Sequence, residues 1–210
     1  GSFEWNGYLP IIEKPSVYNP SSGFIATANQ NVTPENYPHY NAIGYSWSDP
    51  YRGNRIDKVL NDNNNFSMSE MKALQTDYYS LPAQRLLPFL NNAAHAKKEA
   101  RMLGLLEGWN NELLPNSIQA AIYVSFENEL RRTATEKFIP KAAKPYIPSI
   151  QLARIIQWVE NPSMVFEKQV TKKRDEWIKL AFKRAIKKLE ERLGEDPSNW
   201  TYGEVKNKHI

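Results

Sequence analysis

Apolar residues recur at helical spacing from about residue 49 onward, and no such period precedes that point. The clearest case is 167–193, where Val170, Trp177, Ile178, Ala181, Phe182, Ala185, Ile186, Leu189 and Leu193 fall on one stripe. A stripe of that kind marks an amphipathic helix laid on a core. Gly194 and then Pro197 supply its stop. Ser117 is placed to open another helix, carrying Ile118, Ala121, Ile122, Phe126 and Leu130. Ser67, with Glu70 three residues on, gives a capping-box pattern ahead of Met68, Met71, Leu74 and Tyr78. Asp49 reads as a cap with Pro50 at the first helical position, followed by Ile56, Val59 and Leu60 on one face. Further helices are expected over 97–109, ending near Gly108, and over 149–159. Pro82 and Pro88 are expected to kink or divide the stretch that holds them, and Pro140, Pro145 and Pro148 mark a loop. Residues 49–194 thus predict a mainly α subdomain, a bundle of five to six helices.

The first 48 residues read differently. Pro10, Pro15, Pro20, Pro34 and Pro38 break up any helix or long ladder there. We expect an extended segment with one or two short strands, the best candidate being the apolar run 23–28. Its aromatic residues, among them Trp5, Tyr8, Tyr18, Phe24, Tyr37, Tyr40, Tyr45 and Trp47, argue against disorder, which depletes such residues. The segment therefore reads as one that wraps over a surface and contributes a strand to a site. Residues 195–210 read as the start of a further, truncated region.

Composition narrows the functional classes. At 41% hydrophobic and 24% charged residues the chain is ordinary for a globular domain, and no apolar run approaches the roughly 18 residues of a membrane span. The absence of cysteine removes thiol nucleophiles, disulfides and Cys-based zinc sites. His39, His95 and His209 lie far apart with no second ligand at helical spacing, so no metal site is expected within the chain. Phosphate-binding glycine loops are absent. Between Lys168 and Arg192 basic residues outnumber acids. A solvated face around the apolar stripe accounts for them, and no aromatic platform is interleaved for stacking bases.

The chemistry lies in the N-terminal segment. In order it reads Trp5-Asn6-Gly7-Tyr8-Leu9-Pro10, then Tyr18-Asn19-Pro20-Ser21-Ser22-Gly23-Phe24-Ile25-Ala26-Thr27-Ala28-Asn29, then Tyr37-Pro38, then Arg52-Gly53-Asn54-Arg55-Ile56. This order resembles the β-chain of the penicillin acylase family of N-terminal nucleophile hydrolases. Looser likenesses follow at Met71 through Tyr78, at Gly108-Trp109-Asn110 and at Trp200-Thr201-Tyr202-Gly203.

The resemblance implies an αββα parent fold and an amidohydrolase that cleaves acyl amides through an acyl-enzyme on an N-terminal serine. That serine has no counterpart here, since Ser2 lacks the family's context, so this chain alone is expected to be inactive. Asn29 takes the place of the family's oxyanion-stabilising asparagine, and Arg52 that of an orienting arginine near the active site. Thr27 and Ala28 flank Asn29 as candidate substrate-binding residues, while Arg55 is taken as structural. The resemblance implies no cofactor within this chain, although some relatives bind calcium through acids that lie mostly elsewhere. It implies as partners an acyl-amide substrate and the remaining chains of the same precursor, with no nucleic acid and no membrane span. It also implies a periplasmic or extracellular parent. An unpaired sheet edge would favour self-association of the piece. The competing expectation is a non-catalytic helical interaction module derived from the same family.

Overall fold

The computed structural model describes residues 4, 7–44, 46–63, 65–93, 96–147 and 149–206. Ser2, Trp5, Asn6, Tyr45, His95, Pro148 and His209, named above, lie outside these residues. The chain forms two compact units, Gly1–Gln75 and Thr76–Ile210, and the described residues are mainly helical.

In the first unit the segment before residue 50 is irregular, apart from single 3-10 turns at Ile11–Glu13 and Tyr40–Ala42. The run 23–28 is not a strand: among the described residues it has no ladder partner. An apolar run becomes a strand only where a second strand takes up its backbone groups, and here the local order comes from turns instead. Gly23 N–H closes a turn on Pro20 O at 3.0 Å. Tyr37 Oη donates to Glu13 O at 2.7 Å, and His39 lies 3.0 Å from the Glu13 carboxylate. Helix α1 spans Tyr51–Asp62 with Pro50 in the cap position, one residue later than the Asp49 cap expected. Helix α2, Met68–Gln75, carries the capping box: Glu70 N–H reaches Ser67 Oγ at 3.2 Å and Ser67 N–H reaches Glu70 Oε2 at 2.7 Å.

The second unit holds helices α3 (Leu81–Asn92), α4 (Lys97–Gly104), α5 (Ile118–Phe138), α6 (Leu152–Glu160), α7 (Val170–Leu193) and α8 (Tyr202–Lys206). Pro82 sits in the first turn of α3, where its missing N–H costs nothing. Pro88 lies inside α3, which runs on undivided to Asn92. Burial of Ala83, Leu86 and Leu90 holds that helix together past the lost hydrogen bond. The helix expected over 97–109 stops at Gly104, and three-residue turns carry the chain on, with Leu106 N–H on Leu103 O at 2.9 Å and Trp109 N–H on Leu106 O at 3.2 Å.

The core of this unit is α5 packed along α7. The stripe residues Trp177, Ile178, Ala181, Phe182, Ala185, Ile186 and Leu189 are all buried. Phe182 meets Phe126 edge to face with centroids 6.0 Å apart. The Trp177 indole N–H satisfies itself on Thr133 Oγ1 at 2.9 Å, so a large ring is buried without an orphaned donor. Ser117 caps α5 by accepting from Ala120 N–H at 3.0 Å. Trp200 is fully buried and donates to Gly194 O at 2.8 Å.

Candidate active site

The residues singled out from sequence meet in the first unit, where the turn 26–30 lies against the start of α1. Asn29 has φ +65°, the left-handed region. Asn enters that region more readily than other side chains, because its short amide bonds locally. The reversed backbone is tied down by Ser48 N–H, which donates to Asn29 O at 2.9 Å.

Helix α1 then supplies the charge. Its first turn alternates, with Tyr51 and Gly53 buried and Arg52 and Asn54 exposed. Arg52 Nη2 donates to Ala28 O at 3.0 Å and to Asn29 Oδ1 at 2.8 Å. A guanidinium has donors only, so the Asn29 atom that faces it must be the carbonyl oxygen. The consequence is chemical: Oδ1 is taken, and the Nδ2 amide group is turned the other way. Asn29 is exposed, and among the described residues Nδ2 has no protein acceptor. An exposed amide N–H held by a charge-assisted bond at its other end is a pre-oriented donor. The positive end of α1 and the Arg52 guanidinium both favour negative charge there.

Thr27 is exposed and Ala28 half-buried. Ala28 is held at both its polar groups, since its N–H reaches Gln30 Oε1 at 2.6 Å and its carbonyl accepts from Arg52. Arg55 is half-buried in α1. The segments Gly108-Trp109-Asn110 and Trp200-Thr201-Tyr202-Gly203 belong to the second unit. There the Trp109 ring packs on Tyr123, and Gly203 N–H donates to Pro115 O at 2.8 Å.

Sequence reasoning passed over two residues. Gln30 is buried, and Gly53 lies directly against its side chain. The available signal was a glycine in the first turn of a helix, which weakens the helix and often marks a close approach. Among the described residues no group of three or more His, Asp or Glu side chains is placed to hold a metal ion. No helix among them is long and apolar enough to cross a membrane.

Part of the basic face of α7 is engaged within the molecule. Lys188 lies 2.5 Å from Glu129, Arg184 lies 2.8 Å from Glu136, and Arg192 donates to Val205 O at 2.8 Å.

The sequence model of the family described as penicillin amidase matches residues 1–210. The penicillin acylase 2 proenzyme of Pseudomonas sp. (strain SE83) is 28% identical over 141 residues, covering 65% of this chain and 18% of that protein. The acyl-homoserine lactone acylase QuiP of Pseudomonas aeruginosa PAO1 is 25% identical over 235 aligned residues, covering 98% of this chain and 27% of that protein. The penicillin G acylase of Escherichia coli is 38% identical over 60 residues, covering 29% of this chain and 7% of that protein. The chain therefore spans between 18% and 27% of the length of the first two relatives.

Proposed function

The chain belongs to the penicillin amidase family, and we propose that it is the part of an acyl-amide hydrolase that supplies a side-chain oxyanion donor. The observation that carries this reading is the Arg52–Asn29 bond, which leaves the Asn29 amide N–H as the outward group. In the proposed reaction an N-terminal serine, outside this chain, adds its Oγ to the acyl carbonyl carbon. The C=O electron pair moves onto oxygen, and the Asn29 Nδ2–H donates to that oxygen as the charge develops. The C–N bond then breaks and the amine leaves with the serine's proton. Water cleaves the resulting ester in the same manner. Thr27 and Ala28 border the donor in the chain and are the residues proposed to contact the acyl group.

Arg52 acts through Asn29, and its role is orientation. Removing one oxyanion donor from a comparable site costs about 3–4 kcal/mol of barrier, which sets the scale expected here. Relatives named for penicillin and for acyl-homoserine lactone support a small acyl amide as substrate. The reaction draws on no cofactor from this chain. Calcium is raised by the family resemblance for the whole protein; among the described residues no group of three or more His, Asp or Glu side chains is placed to hold a metal ion. Family resemblance alone supports a periplasmic or extracellular location for the whole protein.

A non-catalytic interaction module is the second reading, favoured by the exposure of Tyr8, Ile12 and Tyr18 in the first unit. The two readings separate on one assay. The full-length protein containing this chain, offered aryl-acyl amides, penicillins and acyl-homoserine lactones, is expected to release carboxylic acid and amine from at least one class. A correctly processed protein that cleaves none of them would leave the interaction module standing.

A further inference from the structure

We propose that Gln30 is a positioning residue: seated on Gly53, it locks the turn 26–29 in the shape that aims the Asn29 amide. The proposal rests on the oxyanion reading above. Gln30 stands out because, among the described residues before Tyr51, it alone is buried, at 8% exposure, in a segment whose apolar side chains are largely outside. A polar side chain buried where Tyr8 and Ile12 are not calls for a specific reason.

Its contacts supply one. Gln30 Oε1 accepts from Ala28 N–H at 2.6 Å, and Nε2 lies 3.5 Å from Ala26 O, at the outer limit of a hydrogen bond. The carboxamide thus spans the turn from inside, next to the residue whose φ is positive. Its seat is Gly53. A Cβ at that position would stand 2.4 Å from both Cδ and Nε2 of Gln30 and 2.8 Å from Oε1. No side chain other than hydrogen fits between α1 and Gln30 as they stand.

Gly53 follows Arg52, so one helical turn does two jobs. Arg52 fixes the Asn29 side chain and the Ala28 carbonyl from outside the turn, and Gly53 admits the Gln30 amide that fixes the Ala28 N–H from within. Both contacts determine where Nδ2 of Asn29 lies, and misplacement by about 1 Å can cost as much as a hundredfold in rate.

The test uses the full-length, processed enzyme carrying Gly53→Ala or Gln30→Met, each also made in an Asn29→Asp background. Alanine favours a helix over glycine, so Gly53→Ala expels Gln30 without weakening α1. Gln30→Met keeps the bulk of the side chain and removes the acceptor. Both are expected to lower kcat by roughly ten- to a hundredfold, with KM changed less than about twofold, and to have no further effect once Asn29 is Asp. Wild-type turnover in both variants, with Asn29→Asp impaired, overturns the proposal and leaves the oxyanion reading intact. An equal loss in the Asn29→Asp background also overturns it, because Gln30 would then act elsewhere. Normal turnover by Asn29→Asp itself removes the oxyanion reading and this proposal with it.

Discussion

Asn29 holds a backbone conformation that few side chains accept, and its amide is gripped at one end by a guanidinium that only donates. These facts together decide what the residue can offer. A turn-forming asparagine would use its side chain to bond its own neighbours. This one gives its oxygen to Arg52 and keeps its N–H group outward. Both bonds come from Nη2 of Arg52, and lysine, a compact and strongly hydrated point charge on a differently shaped stem, is not its equivalent there. Arg52→Lys is expected to lose at least one charge-assisted bond, worth roughly 1.5–3 kcal/mol. Steady-state kinetics of the processed enzyme should show kcat lower by about ten- to a hundredfold. Positions 29 and 52 were singled out by the order of motifs around them. The grip between them was not, because a motif records which residues are present and not which atoms face each other. Gln30 and Gly53 were illegible for a related reason: each makes sense only as the other's neighbour, 23 positions away in the chain.

At the scale of elements, the helices follow their own signals. The stripe on α7 is buried as its period requires, and Ser117 and Ser67 cap the helices they precede. Where expectation and structure part, tertiary packing is the cause. The run 23–28 has strand composition but no ladder partner among the described residues. The α5–α7 pair also carries a polar tie that no periodicity foretells. Glu129 is buried in α5 and held by Arg132 and by Lys188 of α7. Burial alone would push its carboxyl up, but the bonds and charges of Arg132 and Lys188 outweigh that and hold it below its ordinary value. A carboxyl whose folded pKa is depressed stabilises the fold above its unfolded pKa of about 4.3. That contribution is lost as pH falls through the depressed value. Glu129→Gln is expected to lower stability at pH 7 by about 2 kcal/mol, and the gap to wild type should close in acid below the usual carboxylate range. Urea unfolding of both proteins across that interval checks the sign. A gap that stays constant would mean that the carboxylate's charge contributes nothing.

For the whole molecule, the chain spans between 18% and 27% of the length of two of the acylases it resembles. The family match reaches across both units, while the residues proposed for the chemistry all lie in the first. The central claim is that the Asn29 N–H stabilises an oxyanion formed in a larger protein. Asn29→Asp tests it with the least disturbance. Aspartate tolerates the left-handed backbone as asparagine does, keeps an oxygen for Arg52, and replaces the donor with an acceptor. The measurement is the single-turnover acylation rate of the full-length, processed protein on an acyl amide that the wild type cleaves. A fall of roughly a hundred- to a thousandfold, the range for loss of an oxyanion donor, with processing and fold unchanged, is the result expected. An acylation rate equal to wild type would show that Asn29 shapes a turn and takes no part in the chemistry.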